Sequence, residues 1–384
     1  MMDYTIRSIT VMALAALPLA VTAQSRLTVE NHLPFDRKSE IVETPAAPVT
    51  EKFGESFIIT DSEGNEVEWQ VTHDGKLIFP ADVRANSTTT YNIIKGVAAK
   101  KTPKVYGRQF PERKDDMAWE NDRSAYRAYG PALEKSGERA FGYDLWTKCV
   151  DTLVLEQRFF DHNHRNLSFH KDHGNGMDVY SVGPTLGGGT AALLNDNGEI
   201  VYPYCYRDYE ILDNGPLRFT VSLTYNPVTV NADTAVVEKR LISLDRGSWL
   251  NKTVVSYDGL TTKRTVAPGI VVHRQNPAAY IFSESGKAMS YADLTDNSDC
   301  GNGVMFVGVV VPQGSAMSYQ PLAERAGDAV GHILAKALIA PGEDFLYYWG
   351  SGWSKGGMPD QLEWQATLER FRDALASPLS VRFE

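Results

Sequence analysis

The chain has 384 residues, enough for a large buried core and for more than one domain. With 38 Lys and Arg against 48 Asp and Glu, its net charge of −10 argues against nucleic acid as the partner, because a phosphate backbone selects clustered cations. It does not exclude an acidic oligosaccharide as partner, since a locally basic pocket can sit in an acidic protein.

Residues 1–23 read as a secretory signal peptide: Arg7, a short apolar run over 11–21, and the small-residue site Val21-Thr22-Ala23 before Gln24. That run is too short to span a bilayer and no comparable run follows, so the expectation is export to the periplasm or beyond, with no membrane span. Cys149, Cys205 and Cys300 are widely spaced, allow one disulfide at most, match no zinc motif, and read as packing residues.

Residues 24–98 are expected to form a small β domain. Alternating runs at 56–60 and 67–71 flank the turn Glu63-Gly64-Asn65, and Asp74-Gly75 marks a hairpin into 76–79. The lysine-rich stretch 95–104 reads as a linker to a larger domain, 99–384. Between residues 193 and 260 turn signals are separated by runs of roughly 10 to 15 residues, as in a large antiparallel sheet. Over 217–225 the alternation is clean, with Leu217, Phe219, Val221, Leu223 and Tyr225 on one face. Further strands are expected at 265–272, 303–311, 332–339 and 344–350. A helix after Pro359 carries the stripe Trp364, Leu368, Phe371, Leu375 and stops at Ser377-Pro378. The fold class is therefore mostly β: a large two-sheet antiparallel sandwich with a small N-terminal β domain and a C-terminal helix.

The stretch 159–189 holds four of the eight histidines, His162, His164, His170 and His173, amid glycines. It is read as a loop that carries chemistry rather than a core strand or an amphipathic helix. His170 and His173 are candidate bases, oriented by Asp172 or Asp178, with Tyr180 as a second proton carrier. Their His-x-x-His spacing keeps a divalent metal as the alternative, although no cofactor is firmly implied. His273 and Arg274, at a strand end, could supply an acid and a carboxylate clamp. Lys171, Trp119, Arg123 and Trp353 are candidate substrate-binding residues, with an indole face covering sugar C–H surface and 350–357 forming a flexible aromatic rim. The segment 109–129 also offers Glu112, Asp115, Asp116 and Glu120 as the carboxylate pair of a glycoside hydrolase.

From residue 27 onward the sequence resembles the exported bacterial family catalogued as domain of unknown function 4861. The resemblance is carried by Val29-Glu30-Asn31, Phe35-Asp36-Arg37, the block 111–116 through Trp119-Glu120-Asn121-Asp122, Tyr129-Gly130-Pro131, and Asp144-Leu145-Trp146-Thr147-Lys148. His170-Lys171-Asp172-His173-Gly174, Met177-Asp178 and the run 182–187 complete it. It implies a place in polysaccharide utilisation, likeness to an oligosaccharide dehydratase acting on ulvan fragments, and a supersandwich like those of galactose mutarotases and polysaccharide lyases. An exported enzyme acting on uronic-acid oligosaccharides by β-elimination is the leading expectation. A hydrolase or a non-catalytic sugar-binding protein is the alternative.

Overall fold

The computed structural model describes residues 25–100, 102–294 and 301–384, so the expected signal peptide and Cys300 lie outside the described residues. Alternation of apolar and polar residues builds the two sheets of the large domain. One sheet of nine strands runs in the order Tyr206–Asn214, Arg218–Tyr225, Asp233–Asp245, Leu250–Asp258, Phe345–Trp353, Met305–Val310, Ala288–Asp293, Tyr280–Phe282, with Val228–Val230 paired to the side. The other has five, Ile200–Val201, Gly188–Leu194, Arg264–His273, Ala329–Ile339 and Ala316–Ala326. Phe219, Val221 and Leu223 from the first and Leu193, Val266 and Ile333 from the second meet in one core. This is the sandwich the alternation predicts.

A third sheet, Tyr106–Phe110, Asp116–Glu120, Ala125–Ala128 and Asp144–Trp146, lies against the sandwich. Its anchor is Trp119, stacked near Phe219 at 6.2 Å, with its indole N–H donating to Asn251 at 2.7 Å. The C-terminal helix Gln361–Ala376 is capped by Asp360, whose carboxylate accepts from the Glu363 amide. It buries Trp364 and Leu368 against Phe306 and Val310 on the back of the nine-stranded sheet. Glycine is required beneath it: a Cβ on Gly308 would come within 2.7 Å of Leu368.

The small domain differs from expectation in two respects. The run 67–71 is not one strand; Glu66–Val67 and Gln70–Val71 belong to different sheets, and Trp69 turns the corner stacked on Phe57 at 3.9 Å. Its five-stranded sheet also recruits Ser380–Phe383 from the far end of the chain, paired with Ser25–Asn31. No helix among the described residues is long and apolar enough to cross a membrane.

Candidate active site

A larger correction falls on the histidine-rich stretch. Its first part is helical, within Leu155–Arg165, because Leu155, Arg158 and Phe159 form a buried face that begins just before the stretch does. Phe159 packs with Phe110, Trp146 and Phe169. Glu120 satisfies the helix N-terminus, accepting from the Val154 and Leu155 amides at 2.8 Å, and Asn166 closes the other end in left-handed backbone. Arg158 ties the following loop down, donating to the carbonyls of Thr147 and Asn175. This cap brings His170 over a buried charge cluster on the third sheet.

At the cluster's centre is Arg127, 4% exposed. Its guanidinium meets Asp144 at 2.5 Å, Asp178 at 3.2 Å and Asp116 at 3.5 Å. Asp144 is further held by the Trp146 indole and the Leu145 amide. Three carboxylates around one guanidinium, out of water, cannot all be ionised. Burial, then the charge of Asp144, pushes the Asp178 carboxyl well above the usual range, against the pull of Arg127. Burial also raises Asp116 to about 6, against the pull of Arg127 and Arg113. Neither Asp116 oxygen meets a donor in full hydrogen-bond geometry, although the Gly130 amide lies close enough to lower its pKa.

His170 opens this cluster to solvent. Its side chain is 57% exposed, and Nδ1 lies 3.0 Å from the Asp178 carbonyl and 3.6 Å from the Asp178 carboxyl. A carbonyl only accepts, so Nδ1 is the donor, and Nε2 makes no hydrogen bond among the described residues. His162 stacks on the same Phe169 ring at 4.1 Å, and burial, then His170 and Arg113, lowers its pKa. Tyr129 lies on the inner side, its ring 5.2 Å from the Arg127 guanidinium.

The other candidates are placed differently. His173 is exposed and bonds within its own loop, Nε2 to the Ser168 carbonyl at 3.0 Å. His170 and His173 thus turn to separate acceptors and are not a ligand pair. Among the described residues no group of three or more His, Cys, Asp or Glu is arranged to hold a metal. His273 is buried, with Nδ1 on Asp293 at 2.5 Å and Nε2 on the Ser181 carbonyl at 2.9 Å. Both nitrogens donate, so the ring is a charged structural tie, its pKa raised by Asp293 and Asp328 against desolvation, and not a free acid. Tyr180 is buried beside it with its hydroxyl unpartnered and its pKa driven up by burial.

Trp119 is fully buried and Trp353 is 3% exposed with its indole on the Asn302 carbonyl, so neither is a sugar platform. The expected rim at 350–357 begins instead as the buried end of strand Phe345–Trp353. Arg123 is exposed over Trp249, beyond the Glu120 end of strand Asp116–Glu120 and so away from Asp116 at its start. Lys171 and Arg274 are exposed. Of the hydrolase carboxylates, Glu120 is buried on Lys148, Glu112 pairs with Arg108, and Asp115 occupies the left-handed turn. Only Asp116 belongs to the cluster. Cys205 is buried in the main core and Cys149 is exposed; both are free thiols.

The cluster yields a first prediction. A carboxyl whose pKa is raised on folding stabilises the fold relatively below its unfolded value, and that contribution is lost as pH rises through the folded value. For Asp116 the window runs from the ordinary value of 3.8 to about 6. Asp116→Asn is therefore expected to gain stability relative to the parent as pH rises through that window, by up to ~3 kcal/mol. Urea unfolding at pH 4 and pH 7.5 measures it, and an equal effect at both would refute the assignment.

Comparison with known proteins agrees with the sequence resemblance. The family model described as "Domain of unknown function (DUF4861)" matches residues 29–381. The chain belongs to this family. "Uncharacterized protein P7" of Formosa agariphila, a relative of this DUF4861 chain, is 26% identical over 380 residues, covering 93% of both chains. Among solved structures, an alpha-mannosidase from Enterococcus faecalis V583 aligns over 94% of this chain and 46% of its own, with TM-score 0.47 and 8% identity. A protein in the glycosyl hydrolase family 38 from Enterococcus faecalis aligns with TM-score 0.49 and 7% identity, over 94% and 47%. The DUF4861 chain spans about half the length of these two structures.

Proposed function

We propose that the chain is an exported carbohydrate-active enzyme that acts on uronic-acid-containing oligosaccharides by β-elimination, as a dehydratase or lyase. One observation carries this reading: the half-exposed His170 ring has Nδ1 held over a buried charge cluster and Nε2 without a hydrogen-bond partner among the described residues. Elimination breaks the C5–H and C4–O bonds and forms C4=C5. It needs a base for a weakly acidic proton, and a proton for the departing oxygen. His170 Nε2 is the base. The same ring, then an imidazolium, returns that proton to the departing oxygen so that water or an alcohol leaves, while buried Asp178 and Arg127 hold its Nδ1 side. The resemblance to the ulvan oligosaccharide dehydratase agrees with this chemistry.

The hydrolase reading draws on a different observation, the two raised carboxyls of Asp116 and Asp178 on either side of Arg127. One assay separates the readings. Incubation with uronate-terminated oligosaccharides is expected to produce ultraviolet absorbance from a double bond conjugated to the carboxylate. New reducing ends without absorbance would indicate hydrolysis, and binding without either product would indicate a sugar-binding protein.

A further inference from the structure

The strands Tyr106–Phe110 and Asp116–Glu120 pair with Phe110 opposite Asp116, and one 3-10 turn, Pro111–Arg113, joins them. Lys114 and Asp115 complete the tip in left-handed backbone, at φ 52° and 62°. Side-chain-bearing residues rarely adopt that region, so neighbours must hold them there. They do: the Tyr206 hydroxyl donates to the Asp115 carbonyl, and Gly130 passes so close that a Cβ on it would lie 1.9 Å from that oxygen. The tip is therefore built to keep Arg113 in one place.

That place is half-buried, where the Arg113 charge acts on Asp116, Asp178 and His162 together. Most other cations nearby are committed: Arg108 on Glu112 and Glu156, Lys114 on Glu138, Lys148 on Glu120, Arg127 on its three aspartates, and Arg158 on the Thr147 and Asn175 carbonyls, while Lys171 is on the surface. Arg113 makes no ion pair among the described residues. We infer that Arg113 selects an acidic sugar, its guanidinium receiving the carboxylate of a uronate seated at His170. This rests on the reading of His170 given above. A guanidinium fork matches a carboxylate through two parallel N–H···O bonds, and partial burial strengthens them. The acids beneath are already faced by a cation of their own, because the Arg127 guanidinium lies against Asp144, Asp178 and Asp116.

Calorimetric titration of the whole chain with a glucuronate-terminated disaccharide and its glucose-terminated counterpart tests the inference. The parent is expected to prefer the acidic sugar by about ten- to a hundredfold, the range of a charge-assisted hydrogen bond. Arg113→Gln should lose that preference while binding the neutral sugar as before, and Arg113→Lys, which keeps charge but not the fork, should retain only part of it. An undiminished preference in either variant overturns the inference and leaves the His170 reading standing, as does a parent that binds both sugars equally. A parent that binds neither overturns the inference and the acidic-sugar reading together.

Discussion

His170→Ala is expected to lower kcat/KM on an acidic oligosaccharide by about two to four orders of magnitude, the usual contribution of a positioned proton-transfer group. The melting temperature should stay within a degree or two of the parent's, because the ring is mostly exposed and its one bond is to a backbone carbonyl. His173→Ala provides the control. That ring hangs on its own loop through Ser168, and its removal should leave turnover within a few fold. Partial rescue of His170→Ala by added imidazole would mark proton transfer rather than a shape change. A His170→Ala enzyme with parental rates would remove the base from the proposal.

Glu120→Ala should have the largest effect on stability, a loss of about 3–5 kcal/mol, as for a buried ion pair deprived of one partner. Both side chains of the Glu120–Lys148 pair are fully buried. The carboxylate also accepts the Val154 and Leu155 amides, so its removal strands an ammonium and uncaps the helix together. Lys148 keeps only the Asn121 carbonyl. Denaturant unfolding of Glu120→Ala and Glu120→Gln measures the effect, the glutamine retaining an acceptor for the helix. A loss below ~1 kcal/mol in the alanine variant would show that the pair is not what holds the helix.

The sandwich was readable because period-2 alternation reports directly which face of a strand is buried, as at Phe219, Val221 and Leu223. The C-terminal helix was readable for the same reason at period 3.6, through Trp364 and Leu368. The site was only partly so. His170 stood out by composition, but Arg127, Asp116, Asp144 and Asp178 come from four segments that meet through sheet pairing and one cap. The available signal was a charge inside an apolar strand, as in Asp116-Met117-Ala118-Trp119 and Ala125-Tyr126-Arg127-Ala128, since a buried ion there must be paired or perturbed. The aromatic candidates failed because tryptophan suits a core as well as a sugar surface. The helix around Phe159 is not legible in the histidine-rich stretch alone, because Leu155, which starts its buried face, precedes that stretch.

The pairing of Ser25–Asn31 with Ser380–Phe383, Leu27 opposite Phe383, constrains how the polypeptide matures. Ser25–Asn31 cannot acquire this outer neighbour until residue 383 has left the ribosome, more than three hundred residues later. Until then one margin of that early sheet stays open, a template for stray association with other nascent copies. Completion of the smaller unit is thereby postponed until Ser380–Phe383 is made, and that strand acts as a clasp on the early sheet.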